Sequence, residues 1–174
     1  MRKYNDNSVA PIIAIDFDNT ISIGDKYPEC GKLRPYAKEV INFLTDIGVK
    51  IVIYTSRDAA INQDEQVVCD DLTPMITYLK ENGIRYASIN KSVQFAPFLY
   101  NSRKVYAHRY LDDRNFGFND SVSVFPNMLF DTLVHLLDIP EKIAYYTCEE
   151  IRNNREIKFY EIEQYKGYVK EFWK

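Results

Sequence analysis

The sequence predicts an α/β fold with a central parallel sheet that is covered by helices on both faces. In residues 11–17 four consecutive apolar residues, Ile12-Ile13-Ala14-Ile15, are typical of a strand buried on both faces. Helical and strand-like segments then alternate along the chain, which predicts a parallel sheet. Polar residues also follow the strands at their carboxyl ends, where open α/β sheets bind ligands.

The first helix and second strand follow directly after this central strand. Apolar residues recur at helical offsets within 35–47, Pro35 suits a first helical turn, and Gly48 suits a helix end. Residues 49–54, Val-Lys-Ile-Val-Ile-Tyr, predict a second buried strand. The order is therefore strand, helix, strand.

The second half of the sheet is predicted in the same way. Apolar residues at helical spacing predict a helix from about Leu72 to Leu79, with Asp70 or Thr73 as its cap and Asn82-Gly83 as its stop. Further strands are predicted over 84–90 and 105–111, and a last amphipathic helix over 130–137, before Pro140.

Composition limits the classes of function. The chain has 174 residues, of which 46% are hydrophobic, so it can bury one good core. A net charge of −3 and a pI near 5.5 argue against a general nucleic-acid-binding surface. Three widely spaced cysteines do not predict a disulfide framework or a zinc site. The polar N-terminus and the short apolar run after it predict neither a signal peptide nor a membrane span, and we expect a cytoplasmic protein with no membrane partner.

Acidic and hydroxyl side chains cluster after the predicted strands. Asp16 and Asp18 end the first strand, Thr55 follows the second, and Asp112-Asp113 follow the fourth. The carboxyl ends of parallel strands meet at one edge, so we expect these side chains to share one site. Buried carboxylates without a partner are costly, and a divalent cation is the partner that best suits them.

These segments resemble the four motifs of the haloacid dehalogenase superfamily of phosphotransferases. The matching stretches are DFDNT, the strand ending IVIYTS, an upstream lysine and the strand ending YLDDRN, within about residues 11–117. YPECGKLRPYAKEVINFL and NSRKVYAHRYLDDRN are similar to a small hydrolase subgroup without a cap domain. The resemblance implies a Rossmannoid three-layer α/β/α catalytic domain over 1–140. Residues 22–34 and 58–73 are too short for a cap.

The resemblance also implies the roles of individual residues. Asp16 matches the nucleophile that forms an aspartyl phosphate, and Asp18 matches the general acid and base. Thr55 matches the hydroxyl that contacts the transferring phosphoryl group. Asp112 matches the residue that completes a Mg²⁺ site with Asp16 and the main-chain carbonyl of Asp18, and Asp113 is a supporting or alternative ligand.

The motif lysine and the substrate contacts are predicted with alternatives. Lys104 is preferred as the lysine that neutralises the nucleophile and phosphate, because of the subgroup-like sequence around it, and Lys91 is the alternative. Thr55, Ser56 and Arg57 are the predicted substrate-binding residues. The substrate is a phosphorylated molecule that the motifs do not identify.

The predicted function is that of a magnesium-dependent phosphomonoester hydrolase. A nucleotide or polynucleotide-end phosphatase is the alternative, although the acidic pI disfavours a nucleic-acid substrate. A phospho-accepting module of the receiver type has a different motif order, and a binding protein without turnover would be expected to lose Asp16 or Asp18. Residues 141–174 are expected to form a tyrosine-rich extension, with Phe172-Trp173 near its end, that packs on the core or forms a homodimer contact.

Overall fold

The computed structural model describes residues 10–24, 27–61, 67–94, 104–115, 118–154 and 159–171. Strands and helices alternate as the sequence predicts. In chain order the elements of this part of the chain are β1 (Ile12–Ile15), β2 (Ser22–Ile23), β3 (Lys32–Leu33), α1 (Ala37–Ile47), β4 (Lys50–Ile53), β5 (Ala59–Ile61), β6 (Val67–Asp70), α2 (Leu72–Glu81), β7 (Ser88–Ile89), β8 (Arg109–Leu111), α3 (Val124–Asp131), a π-helical turn (Thr132–Leu136), α4 (Glu141–Arg152) and α5 (Phe159–Glu171).

A parallel sheet forms the centre of the fold. Within the described ranges it has four strands in the order β7-β4-β1-β8. Ile13 lies opposite Ile51 on one side and Arg109 on the other, and every residue of β1 is buried. The helices flank this sheet in a Rossmann-like three-layer α/β/α arrangement. The predicted fold class is therefore confirmed.

Two strands are shorter than predicted. The strand expected over 84–90 pairs with β4 only at Ser88 and Ile89. The strand expected over 105–111 begins at Arg109. For this second strand the reason lies at His108. Its side-chain Nδ1 accepts the main-chain N–H of Ile12 at 3.0 Å and so takes the place of a main-chain partner in the sheet. The residues that follow both strands still lie at the carboxyl edge of the sheet.

The predicted helices differ mainly at their ends. The predicted stop of α1 is confirmed, because Gly48 caps it with a φ of 105° that favours glycine. The N-cap position of α2 is Asp71, one residue after the predicted Asp70. Asp70 still contacts the first turn, because its Oδ1 accepts the main-chain N–H of Thr73 at 2.9 Å. The helix expected over 130–137 begins earlier, at Val124, and ends in the π-helical turn.

The two stretches predicted to be too short for a cap domain form small sheets. β2 pairs with β3, and β5 pairs with β6, each in an antiparallel two-stranded sheet. Part of the second stretch, residues 62–66, lies outside the described residues. The first stretch follows β1 along the chain and the second follows β4, so each begins after the carboxyl end of a central strand.

The C-terminal helices share the core of the α/β domain. Tyr165 of α5 packs edge-on against Phe43 of α1, with ring centroids 5.3 Å apart. Cys148 of α4 is buried in the same hydrophobic cluster. Phe172 and Trp173 lie outside the described residues, and the homodimer stays a prediction. Among the described helices, none is long and apolar enough to cross a membrane.

Candidate functional site

Three carboxylates meet at the carboxyl edge of the central sheet. Asp16 directly follows β1, and Asp112 and Asp113 follow β8, which pairs with β1. One carboxylate oxygen from each lies within 4.8 Å of the other two. Oxygen atoms grouped in this way are the ligands that hard divalent cations prefer, so the three residues could hold a metal ion.

The electrostatics of Asp16 agree with such a role. Burial raises the pKa of Asp16 from its ordinary value of 3.8 to about 7, and the neighbouring charges of Asp112, Asp113 and Asp18 add to the rise. The main-chain N–H of Phe17 opposes it. A cation among these oxygens would favour the charged form of Asp16 and offset the mutual repulsion.

Thr20 links the two acidic segments. Its hydroxyl lies 3.4 Å from Oδ2 of Asp16, and it accepts the main-chain N–H of Asp113 at 3.1 Å. The main-chain N–H of Asp16 donates to the carbonyl of Leu111 at 2.8 Å. These contacts fix the ends of β1 and β8 relative to each other.

Asp18 is placed differently from the other acids. Its carboxylate is not part of the group of three but is paired with Arg57, whose Nη2 lies 2.6 Å from Oδ1. The carboxylate of Asp18 is therefore separate from the three carboxylates that could share a metal ion. Arg57, predicted as a substrate contact, is only 1% exposed and does not line the cavity of the site.

Thr55 is held by a residue that the sequence analysis missed. Asn90, at the end of β7, accepts the main-chain N–H of Thr55 at 2.8 Å and donates its side-chain amide to the carbonyl of Thr55 at 2.7 Å. The Thr55 hydroxyl accepts the main-chain N–H of Arg57 at 3.1 Å. Asn90 comes at the carboxyl end of a predicted strand, and that position was the signal that could have identified it.

The site opens into a cavity of about 450 Å³. It contains the predicted residues Asp16, Asp18, Thr55, Ser56, Asp112 and Asp113. The other described residues that line it are Asn19, Tyr54, Asn90, Val105 and Arg114. The fold thus brings the predicted acids and hydroxyls into one cavity.

Neither candidate lysine lies on the wall of this cavity. Lys104 is exposed and adjoins Val105, which does line the cavity, and its Nζ lies 5.4 Å from the ring centroid of Tyr110. Lys91 is exposed as well, and its main-chain carbonyl accepts the hydroxyl of Ser88. Of the described cations, Arg114 is the one that lines the cavity.

Arg34, which the sequence analysis did not identify as a site residue, supports the loop between β1 and β2. Arg34 is 3% exposed and donates through Nε to the carbonyl of Thr20 at 2.7 Å and through Nη2 to the carbonyl of Asn19. Asn19 has a φ of 57°, a conformation that asparagine tolerates. Nothing in the spacing of Arg34 indicated this contact, which depends on the fold.

Comparison with known proteins supports the fold. No family model and no curated protein matches the chain. The solved structure of a conserved protein from Bacteroides thetaiotaomicron is similar, with a TM-score of 0.54, 24% identity, and coverage of 73% of this chain and 92% of that one. The α/β architecture is therefore one that a known protein shares.

Proposed function

We propose that this chain is a Mg²⁺-dependent phosphomonoester hydrolase of the haloacid dehalogenase type that acts through an aspartyl phosphate. The observation that carries the proposal is the group of Asp16, Asp112 and Asp113, whose oxygens lie within 4.8 Å of one another in a cavity that Thr55 also lines. A nucleophile, its cation ligands and a donor for the phosphoryl oxygens are the minimum that such a hydrolase requires.

The first half of the reaction transfers the phosphoryl group to the protein. A carboxylate oxygen of Asp16 attacks phosphorus while the bond from phosphorus to the leaving oxygen breaks. As the general acid, the carboxyl group of Asp18 gives a proton to that oxygen, so the alcohol leaves neutral. The hydroxyl of Thr55, whose main chain is held by Asn90, donates to a phosphoryl oxygen on which charge develops.

The second half returns Asp16 to its starting state. Asp18, now a carboxylate, takes a proton from water while the water oxygen attacks phosphorus. The bond between phosphorus and the Asp16 oxygen breaks, and inorganic phosphate leaves. One residue thus serves as acid and then as base, which typically contributes about 10²–10⁴ in rate.

The metal ligands are assigned to the chain's own oxygens. Asp16, Asp112 and Asp113 would hold Mg²⁺ together with the main-chain carbonyl of Asp18. When bound, Mg²⁺ stabilises negative charge on the phosphoryl oxygens and reduces their repulsion from Asp16.

A nucleotide phosphatase, whose substrate carries a ring such as the base of a nucleoside monophosphate, is the second candidate function. Tyr54 lines the cavity and is 38% exposed, and its ring meets the edge of Tyr110 with centroids 6.3 Å apart. An exposed, supported tyrosine beside a phosphate site offers a surface on which a base can stack, typically for about 1–3 kcal/mol.

This candidate is tested with a 5′-nucleoside monophosphate and ribose 5-phosphate. Tyr54→Leu is expected to lower kcat/KM for the nucleotide about tenfold and to leave ribose 5-phosphate unchanged, while Tyr54→Phe retains both activities. Equal losses of kcat/KM for the two esters would contradict a role for Tyr54 in binding a base. The hydrolase proposal would not be affected.

The hydrolase proposal is tested with an aryl phosphate and a panel of nucleotides and sugar phosphates, with Mg²⁺ and with chelator. Uncatalysed hydrolysis is so slow that weak turnover is measurable. We expect Mg²⁺-dependent turnover that Asp16→Asn abolishes. Metal-independent turnover, or turnover that survives Asp16→Asn, would overturn the proposal.

A further inference from the structure

Arg57 is a buried arginine whose charge is directed at one carboxylate. It is 1% exposed. Its Nη2 donates to Oδ1 of Asp18 at 2.6 Å, and its Nε donates to Oδ2 at 3.0 Å. The side chain of Asp18 is 28% exposed and lines the cavity of the site. A buried cation needs a well-placed partner, so this pair fixes where the Asp18 carboxylate lies.

The guanidinium is itself held by its surroundings. It lies 5.0 Å from the ring centroid of Phe17 and 5.4 Å from that of Tyr27. It also donates to the carbonyls of Pro28 at 2.5 Å and Glu29 at 3.1 Å. These contacts restrict rotation of the Arg57 side chain. Arg57 therefore presents its planar fork to Asp18 in one orientation.

We infer that Arg57 is a positioning residue, which holds the Asp18 carboxylate at the cavity for proton transfer, and that it does not contact the substrate. The inference rests on the proposed function, in which Asp18 protonates the leaving oxygen. Its physical basis is that proton transfer requires the donor within hydrogen-bond reach of the acceptor. An Asp18 side chain without the guanidinium would occupy several rotamers and lose that placement.

The inference predicts a dependence on the leaving group. An alkoxide is a strong base and needs protonation as it departs, whereas a nitrophenolate leaves with little help. Loss of the positioned acid therefore slows an alkyl ester more than an aryl ester. A variant that damaged only the fold would slow both esters to the same extent.

The test compares kcat/KM for glycerol phosphate and 4-nitrophenyl phosphate, because kcat/KM covers the steps up to departure of the leaving group. The variants are Arg57→Gln, Asp18→Asn and the double variant. Arg34→Gln is the matched control, because Arg34 is also buried and supports the same loop, but through the carbonyls of Asn19 and Thr20.

We expect Arg57→Gln to lower kcat/KM about 10²-fold for glycerol phosphate. For 4-nitrophenyl phosphate we expect kcat/KM to fall by no more than about tenfold. Asp18→Asn should show the same pattern, and the double variant should be no slower than Asp18→Asn, because both changes remove one function. Arg34→Gln should change the two esters by equal factors.

Equal losses for the two esters in Arg57→Gln, or losses that multiply in the double variant, would overturn the inference and leave the proposed function intact. If the native chain hydrolyses neither these esters nor the panel above, the proposed function fails and the inference fails with it. If circular dichroism shows that Arg57→Gln does not fold, Arg57→Lys replaces it. That variant keeps the charge but not the fork, so a smaller loss with the same preference is expected, and an unselective loss would overturn the inference.

Discussion

The two ends of the central strand β1 carry polar side chains in opposite situations. At the amino end, the main-chain N–H of Ile12 donates to Nδ1 of His108 at 3.0 Å, within a cluster of buried apolar residues. At the carboxyl end, Asp16, Asp112 and Asp113 lie together. None of the ion pairs found within the described ranges includes any of these three carboxylates. A polar group with a protein partner supports the fold. Carboxylates without a countercharge indicate a ligand.

The largest expected effect comes from removing the charge at the carboxyl end. Asp112→Asn combined with Asp113→Asn should lower Mg²⁺ affinity by at least about 10²-fold, because it removes two of the three anionic ligands. Isothermal titration calorimetry measures this directly. Asp46→Asn, which breaks an exposed pair with Arg85, is the control and should leave the affinity unchanged. Unchanged affinity in the double variant would show that these carboxylates do not form the metal site.

A change at the amino end should instead affect stability. His108→Leu removes the acceptor for the Ile12 N–H, and a buried donor left without a partner costs about 1–3 kcal/mol. Urea unfolding should show a loss of that size, while calorimetry should show the native affinity for Mg²⁺. A matching loss of Mg²⁺ affinity would mean that the two ends of β1 are not independent.

A pH dependence should distinguish the carboxyl end further. The folded pKa of Asp16 is about 7 against an ordinary value of 3.8, so the folded state retains a proton that the unfolded state loses between these values. Stability without metal therefore falls as the pH rises from about 4 to about 7, and then levels off. Below that window Asp16 is protonated in both states and contributes nothing.

Thermal unfolding in chelator checks this dependence. The native chain should be less stable than Asp16→Asn at about pH 8, and the difference should disappear at about pH 4. Added Mg²⁺ should stabilise the native chain at the higher pH by mass action. A difference that did not vary with pH would contradict the assignment of a raised pKa to Asp16.

The sequence was sufficient to predict which residues share the carboxyl edge. Asp16, Thr55 and Asp112 each follow a strand, and the geometry of a parallel sheet brings strand ends together without any further information. The alternation of strands and helices predicted the α/β architecture, because it is typical of parallel sheets covered by helices. Strand lengths were predicted less well, because His108 replaces a ladder contact with a side-chain contact.

The sequence was not sufficient to predict how the site residues are supported. Arg57 was predicted as a substrate contact from its position after the second strand. Its partners in the structure, Asp18 and the carbonyls of Pro28 and Glu29, lie 28 to 39 positions away in the chain, and no spacing indicated them. The support of Thr55 by Asn90 also crosses between strands. Contacts of this kind depend on how loops pack, which periodicity does not encode.

The central proposal, that Asp16 receives the phosphoryl group, is tested most directly by acid-quenching the protein during turnover of a ³²P-labelled ester. The labelled peptide is then identified by mass spectrometry. We predict label on the peptide that contains Asp16, released by alkali as an acyl phosphate and absent from Asp16→Asn. Turnover with the label on another residue, or with no labelled protein under single-turnover conditions, would contradict the proposal.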